Sequence, residues 1–246
     1  MQILIFLVIF LESFSAISGL YFFKKKPTEK AVGFFAYFLL LTYFIEIIGT
    51  IPTIIYWNES LHFLKETFWY QNFWLHNPYL IISFVVYILY FYWNISNQKI
   101  KQIIKIGLIF YVIICVFNLI FSDVFFKSNS IVTYLLGSLF LVGVIFYYYF
   151  EVLLSDKILS IKSEISFFIS FPALLFFLTT TPIIIYYKYF NNKSPAFVEL
   201  SQMVLITLNI FMYSSYSIAF LSLANKKKKF LANKKKKSLT KYKNTF

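Results

Sequence analysis

The sequence has no arginine, one cysteine, six glycines and two histidines in 246 residues, and only 13% of it is charged. Each shortage excludes something. Cys115 stands alone inside an apolar run, so there is no disulfide framework and the redox compartment is unreadable. The sequence contains no Gly-x-Ser-x-Gly nucleophile turn, no Gly-rich phosphate loop and no His-Glu-x-x-His zinc pair. His62 and His76 fall on one predicted loop, too far apart in sequence to announce a metal site. No aspartate lies within a predicted helix, so an aspartyl dyad is excluded and Glu12 with Glu46 is the one carboxylate pair open to acid–base work. Without arginine or lysine in mid-span, a voltage sensor has no gating charges. Without a lysine in the last apolar run, a retinal Schiff base has no attachment point. No cofactor, metal or catalytic residue is assigned, and the reading leans away from an enzyme.

What is present is hydrocarbon. Apolar residues make up 60% of the chain and the mean hydropathy is +0.73, whereas soluble domains carry roughly 25% charged residues. Crossing a bilayer takes about 20 apolar residues. Seven runs meet that need, at about 2–23, 31–57, 78–93, 100–121, 131–154, 165–187 and 196–223. The fold class is therefore all-α, a polytopic seven-transmembrane-helix bundle over 1–223, followed by a lysine-rich tail at 224–246. The excess of Phe, Tyr, Ile and Asn, with lysine as the sole basic residue, matches a low-GC genome. It carries no functional weight, and the tyrosines are not read as a cofactor box.

Lysine placement orients the bundle. Nineteen lysines fall in the loops after the first, third and fifth spans and in the tail, against Lys65, Lys127, Lys188 and Lys193 on the other side. Positive charge stays cytoplasmic, so the N-terminus is expected outside and the C-terminus inside, in the inner (cytoplasmic) membrane. Positive charge follows the first apolar run instead of preceding it, which predicts an uncleaved first helix. The stretch Trp57–Asn77, with three tryptophans and both histidines, reads as an interfacial cap on the outer side. The tail repeats Leu-Ala-Asn-Lys-Lys-Lys-Lys from Leu223 and Leu231. Beside a membrane such a run holds anionic lipid headgroups, at about 1 kcal/mol per lysine, and no nucleic-acid partner is assigned to it.

The organising stretch is Ala31–Trp57, which carries Glu46 near its middle. Thr42, Glu46, Gly49/Thr50 and Thr53 share one helical face. Glu12 in the first span and Asn209 in the seventh fall at similar depth. A carboxylate at the bilayer centre costs at least about 2.5 kcal/mol on insertion scales, so both glutamates must face the bundle. A shared ligand-binding site of Glu46, Glu12, Asn209, Thr42, Thr50 and Thr180 answers that demand, opening outward beneath the cap with His76 and Tyr79 at its entrance. The plainer alternative is a structural hydrogen bond that fixes helix packing. Ala16 and Gly19 continue the Glu12 face and permit close helix contact. Glu151, at the cytoplasmic end of the fifth span, reads as an interface anchor.

With Tyr149–Leu154 (Tyr-Phe-Glu-Val-Leu-Leu) and Phe167–Pro172 (Phe-Phe-Ile-Ser-Phe-Pro) around its fifth loop, the chain resembles the uncharacterised seven-helix membrane proteins of flavobacteria. More distantly it is similar to the seven-helix sensor regions of bacterial histidine kinases. The resemblance implies a sensor-like bundle and transfers no site residue. No kinase or cyclase region follows the seventh span, so a sensor of this kind is expected to signal through a membrane or signalling protein partner. The reading that results is a receptor-like integral membrane protein with an outward polar pocket. The alternatives are an intramembrane enzyme acting on lipid through Glu12/Glu46 and a small-solute transporter.

Overall fold

The computed structural model describes residues 2–190 and 194–225. Most of the lysine-rich tail therefore lies outside the described residues. Seven helices are long and apolar enough to span a membrane, and no strand occurs among the described residues. The spans are α1 (Gln2–Lys25), α2 (Lys30–Gly49) continued by α3 (Ile51–Trp57), α4 (Phe73–Asn94), α5 (Gln98–Phe121), α7 (Ile131–Leu153), α8 (Ile165–Phe190) and α9 (Pro195–Ala224), with a short α6 (Val124–Lys127) before α7. The chain is an integral membrane protein by this measure.

Local chemistry sets most of the ends. Asn97 accepts the amides of Lys99 and Ile100 to start α5, and Ser130 accepts that of Thr133 to start α7. Ser194 accepts from Phe197 to start α9, where Pro195 fills the first turn. The second span is not one straight helix. Pro52 has no amide proton to donate, so the regular helical bonding lapses at Thr50, between the end of α2 at Gly49 and the start of α3 at Ile51. The Thr50 hydroxyl folds back onto the Ile47 carbonyl at 2.7 Å. The third span starts earlier than its hydropathy indicates, at Phe73 rather than Pro78, because a proline early in a helix forfeits a single bond. The stretch expected to form the cap holds two 3-10 segments, Glu59–Glu66 and Phe68–Tyr70, and Phe68 and Trp69 of the second pack ring against ring with Trp74 in the first turn of α4. α8 runs through Pro172 and Pro182 as one helix, with the Ser170, Thr180 and Thr181 hydroxyls bonded back to carbonyls of the preceding turn.

Six spans form a ring in the order α1, α2, α4, α7, α8, α9, closed by α9 against α1, while α5 packs outside on α4 and α7. Long-range bonds tie the two ends of the ring. On the lysine-rich face, Lys25 donates to Asn225, and Tyr90, Ser166 and Asn94 join α4 to α8. On the cap face, Asn77 binds the α5–α7 connection and Thr180 meets Tyr134. The interior is aromatic: Phe35 packs on Tyr87, Tyr90 and Tyr216, and Phe84 packs on Tyr111, Tyr134 and Phe177. Outward faces such as Ile103, Ile106, Phe110, Ile113 and Phe117 of α5 are apolar and exposed, as a lipid surface requires.

Glu151 does more than mark an interface. Its Oε1 accepts the Ser96 amide at 2.6 Å and its Oε2 lies 3.5 Å from the Asn97 amide, clamping the α4–α5 loop to the end of α7. Bonds to a charged acceptor are worth about 1.5–3 kcal/mol. Glu151→Ala is expected to lower the thermal unfolding temperature in detergent, with Glu151→Gln intermediate. Equal stability of all three proteins would mean that the clamp carries no load.

Candidate functional site

Small residues on α1 let the site form. A Cβ placed on Gly19 would sit 2.9 Å from the Ala36 Cβ of α2 and 3.2 Å from the Phe220 ring of α9. That close approach sets Glu12, two turns nearer the cap face, against the Thr42–Glu46 turn of α2 and against Tyr213 of α9. Glu12 is 3% exposed. The Tyr213 side chain and Glu46 both lie close enough to its carboxyl group to interact with it electrostatically. The Glu12 Oε2 is buried without a hydrogen-bond partner, the one such side-chain atom among the described residues.

Glu46 is half-buried on the cap side of Glu12. Tyr79 of α4 lies within electrostatic reach of both glutamates, and its hydroxyl pairs with the Thr42 hydroxyl at 2.8 Å. Thr42 also donates to its own Phe38 carbonyl at 3.1 Å. At the cap end, a Cβ on Gly49 would meet the His76 Nε2 at 2.9 Å, and Asn72 donates to the Gly49 carbonyl at 3.4 Å. His76 therefore stands over the end of α2, one turn beyond Glu46.

The structure thus brings Glu12, Glu46, Thr42, Tyr79 and Tyr213 together, with His76 above them. The other three candidates bond elsewhere. Thr50 is bonded to its own helix. The Thr180 hydroxyl pairs with Tyr134 of α7 and donates to the Phe176 carbonyl. Asn209, one turn from Tyr213, donates to the Leu205 carbonyl of α9 at 3.0 Å. Their side chains are short or locally satisfied, so sharing a depth with Glu46 does not bring them to it.

Among the described residues no lysine forms a salt bridge with either glutamate; the ion pair present is Lys127–Asp123, exposed at the cap face. There the Lys127 ammonium holds the Asp123 carboxyl below the usual carboxylate range. No group of three or more His, Cys, Asp or Glu side chains suited to a metal ion occurs among the described residues. Two carboxyl groups, one buried and one half-buried, lie within electrostatic reach of each other, with the Tyr79 and Tyr213 phenols in the same neighbourhood. Both repulsion and lost hydration weigh on such a pair. A positive species between them answers both.

Comparison with protein-family models, with curated proteins and with solved structures gives no match. The site has to be read from its own chemistry. The neighbour absent from the candidate residues is a tyrosine. Tyr213 lies on the polar stripe of the last span, but an aromatic excess of compositional origin hides it. Its place one turn after Asn209 was the available signal. A separate groove of about 680 Å³ lies between α4 and α5 beneath α6, lined mainly by apolar side chains such as Ile81, Val116 and Leu119 together with Asp123 and Lys127. Neither glutamate lines it.

Proposed function

We propose that this protein is a receptor-like multi-pass membrane protein whose polar site at Glu12 and Glu46 takes a small monovalent cation, a metal ion or an alkylammonium group, from the cap side. The observation that carries the reading is the buried, unpartnered Oε2 of Glu12. An acceptor sealed from water and left without a donor is costly, and such groups persist where a ligand completes them. Carboxylate, phenol and threonine oxygens are hard donors that suit a cation of low charge. The ring faces around Tyr79 and Phe38, stacked at 6.2 Å, suit an alkylammonium. In this reading the cap face is the outer face and the lysine-rich face is cytoplasmic, as the positive-inside rule requires. The signal leaves through a protein partner, in keeping with the likeness to sensor bundles. Anionic lipid headgroups meet the lysines on the inner face.

The test is thermal unfolding of the purified protein in detergent, titrated with Na⁺ or tetramethylammonium against a large impermeant cation. A ligand present at 100 times its Kd stabilises by about 2.7 kcal/mol. A saturable rise with one of the two probes is expected in the wild type and in Asp123→Asn, and its loss in Glu12→Gln and in Glu46→Gln. If neither probe raises the wild-type transition, the reading falls.

A further inference from the structure

The groove between α4 and α5 is apolar in its depth and charged at its rim. Its floor is Ile81 and Leu119, both buried, while Ile82, Val116 and Ile120 along its walls are exposed. From Ser122 at the cap end it descends about 9 Å along α5 to Val116, at the helical rise per residue. Its volume of 680 Å³ lies within the roughly 300–1,000 Å³ of small-molecule sites. The short α6 that roofs it is held from α4, where the Asn77 amide group donates to the Val124 carbonyl at 3.1 Å and to the Ser128 carbonyl at 2.9 Å. The groove is therefore formed before anything enters it. The Ser122 hydroxyl is bonded back to the Asn118 carbonyl, which leaves Asp123 and Lys127 to set the chemistry of the rim. The Lys127 Nζ donates to the Asp123 Oδ2 at 2.6 Å, and both side chains stay largely in solvent. An ion pair so exposed stabilises the fold little by itself.

We propose that this groove is a site for one phosphatidylethanolamine molecule of the cap-face leaflet, with an acyl chain along Ile81, Val116 and Leu119 and the headgroup over Asp123 and Lys127. The apolar walls accept any acyl chain, so the charges at the rim choose the occupant. Asp123 and Lys127 sum to zero, and a headgroup of one phosphate and one ammonium matches both. The phosphate accepts from Lys127 and the ammonium donates to Asp123, so one exposed ion pair is exchanged for two charge-assisted hydrogen bonds. The Lys127 ammonium holds the Asp123 carboxyl below the usual carboxylate range, which keeps it ionised at neutral pH. Phosphatidylcholine fits less well, because its quaternary ammonium has no N–H to give the carboxylate. Phosphatidylglycerol carries a net negative charge, which Asp123 repels.

Neither Glu12 nor Glu46 lines the groove, so this site stands or falls apart from the cation reading. The experiment offers the full chain, freed of lipid in detergent, an equimolar mixture of phosphatidylethanolamine, phosphatidylcholine and phosphatidylglycerol with identical acyl chains. Native mass spectrometry counts what is retained. Wild type is expected to keep one phosphatidylethanolamine about threefold more often than phosphatidylcholine, a preference of the size an exposed ion pair supplies. Asp123→Asn is expected to level the two. Val116→Trp fills the groove from an exposed wall and is expected to lose the phosphatidylethanolamine. Ile109→Trp, exposed on the same helix but outside the groove, is expected to keep it. Should Val116→Trp fail to fold, Ile82→Trp fills the groove from the α4 side. Phosphatidylglycerol held by lysines of the opposite face is expected to be the same in wild type and in either tryptophan variant. Equal retention of phosphatidylethanolamine and phosphatidylcholine by wild type overturns the site, as does undiminished phosphatidylethanolamine in the filled groove. Loss of phosphatidylglycerol instead of phosphatidylethanolamine on filling overturns it in favour of an anionic lipid.

Discussion

Asn77→Leu is expected to destabilise the protein by about 3 kcal/mol or more, the largest single-residue effect predicted outside the glutamate site. Asn77 is 1% exposed, in the first turns of α4. Its side-chain amide donates to the Ser128 carbonyl at 2.9 Å and the Val124 carbonyl at 3.1 Å, and reaches that of Phe125 at 3.4 Å. Its Oδ1 accepts the Ser130 amide at 2.9 Å. One side chain therefore satisfies both sides of the α5–α7 connection, and Ser130 is itself 1% exposed. Leucine fills a similar volume and satisfies none of these groups. An abandoned buried donor costs about 1–3 kcal/mol, and the orphaned carbonyls add to it. Asn77→Asp separates the two roles: it keeps the acceptor for Ser130 but turns a carboxylate toward three carbonyls, so it is expected to rescue nothing. Thermal unfolding in detergent measures the loss, and faster amide exchange over 122–130 locates it. A leucine variant within about 0.5 kcal/mol of wild type would show that water replaces the asparagine.

Gly137→Ala is expected to cost about 1–3 kcal/mol, the usual range for overpacking a filled core. A Cβ at Gly137 would collide with the Phe84 ring of α4. Phe84 cannot yield: it is fully buried and held by Tyr111, Tyr134 and Phe177, whose ring centroids lie 6.2, 5.7 and 5.0 Å away. The substitution therefore has to separate α4 from α7, on which α5 also leans. Gly143, on the same helix, is the internal control, since a Cβ there meets nothing within 4 Å. Gly143→Ala is expected to be neutral or to stabilise by up to about 1 kcal/mol, the intrinsic helix preference for alanine. If the two alanine variants unfold together, the packing argument at Phe84 fails.

The legibility of the chain differs from span to span, and the reasons are physical. Length and hydropathy identify a spanning helix because a bilayer core has a fixed thickness, and seven helices long and apolar enough to span occur among the described residues. Details that depend on one bond were less visible. Pro78 reads as a boundary yet lies inside α4, while Pro52 lies inside an apolar run and interrupts it. Pro78 comes early in α4, where the missing donor frees one carbonyl, and Pro52 falls far into its span, whereas α8 runs through Pro172 and Pro182 with the Ser170, Thr180 and Thr181 hydroxyls bonded back to the preceding turn.

The candidate site divides in the same way. Glu12 and Glu46 are legible because a carboxylate in hydrocarbon is too costly to be incidental. Gly19 marks the close contact that brings their helices together. What periodicity does not carry is which stripe meets which. Thr180 has the right depth and bonds Tyr134 of α7, while Asn209 bonds back to the Leu205 carbonyl of its own helix. Tyr213 reaches Glu12 because α9 closes the ring against α1, a contact between the two ends of the bundle.

The residues alone determine the solvent, the number of traverses and the two glutamates that must turn inward, because each follows from transfer energies that act on one segment at a time. The order of helices around the ring, the displacement of α5 to its rim, the Asn77 tie and the Tyr87–Tyr216 bond are decided only in three dimensions. Each of these depends on side chains far apart in the chain meeting within hydrogen-bond or van der Waals distance, and no local pattern encodes such a meeting.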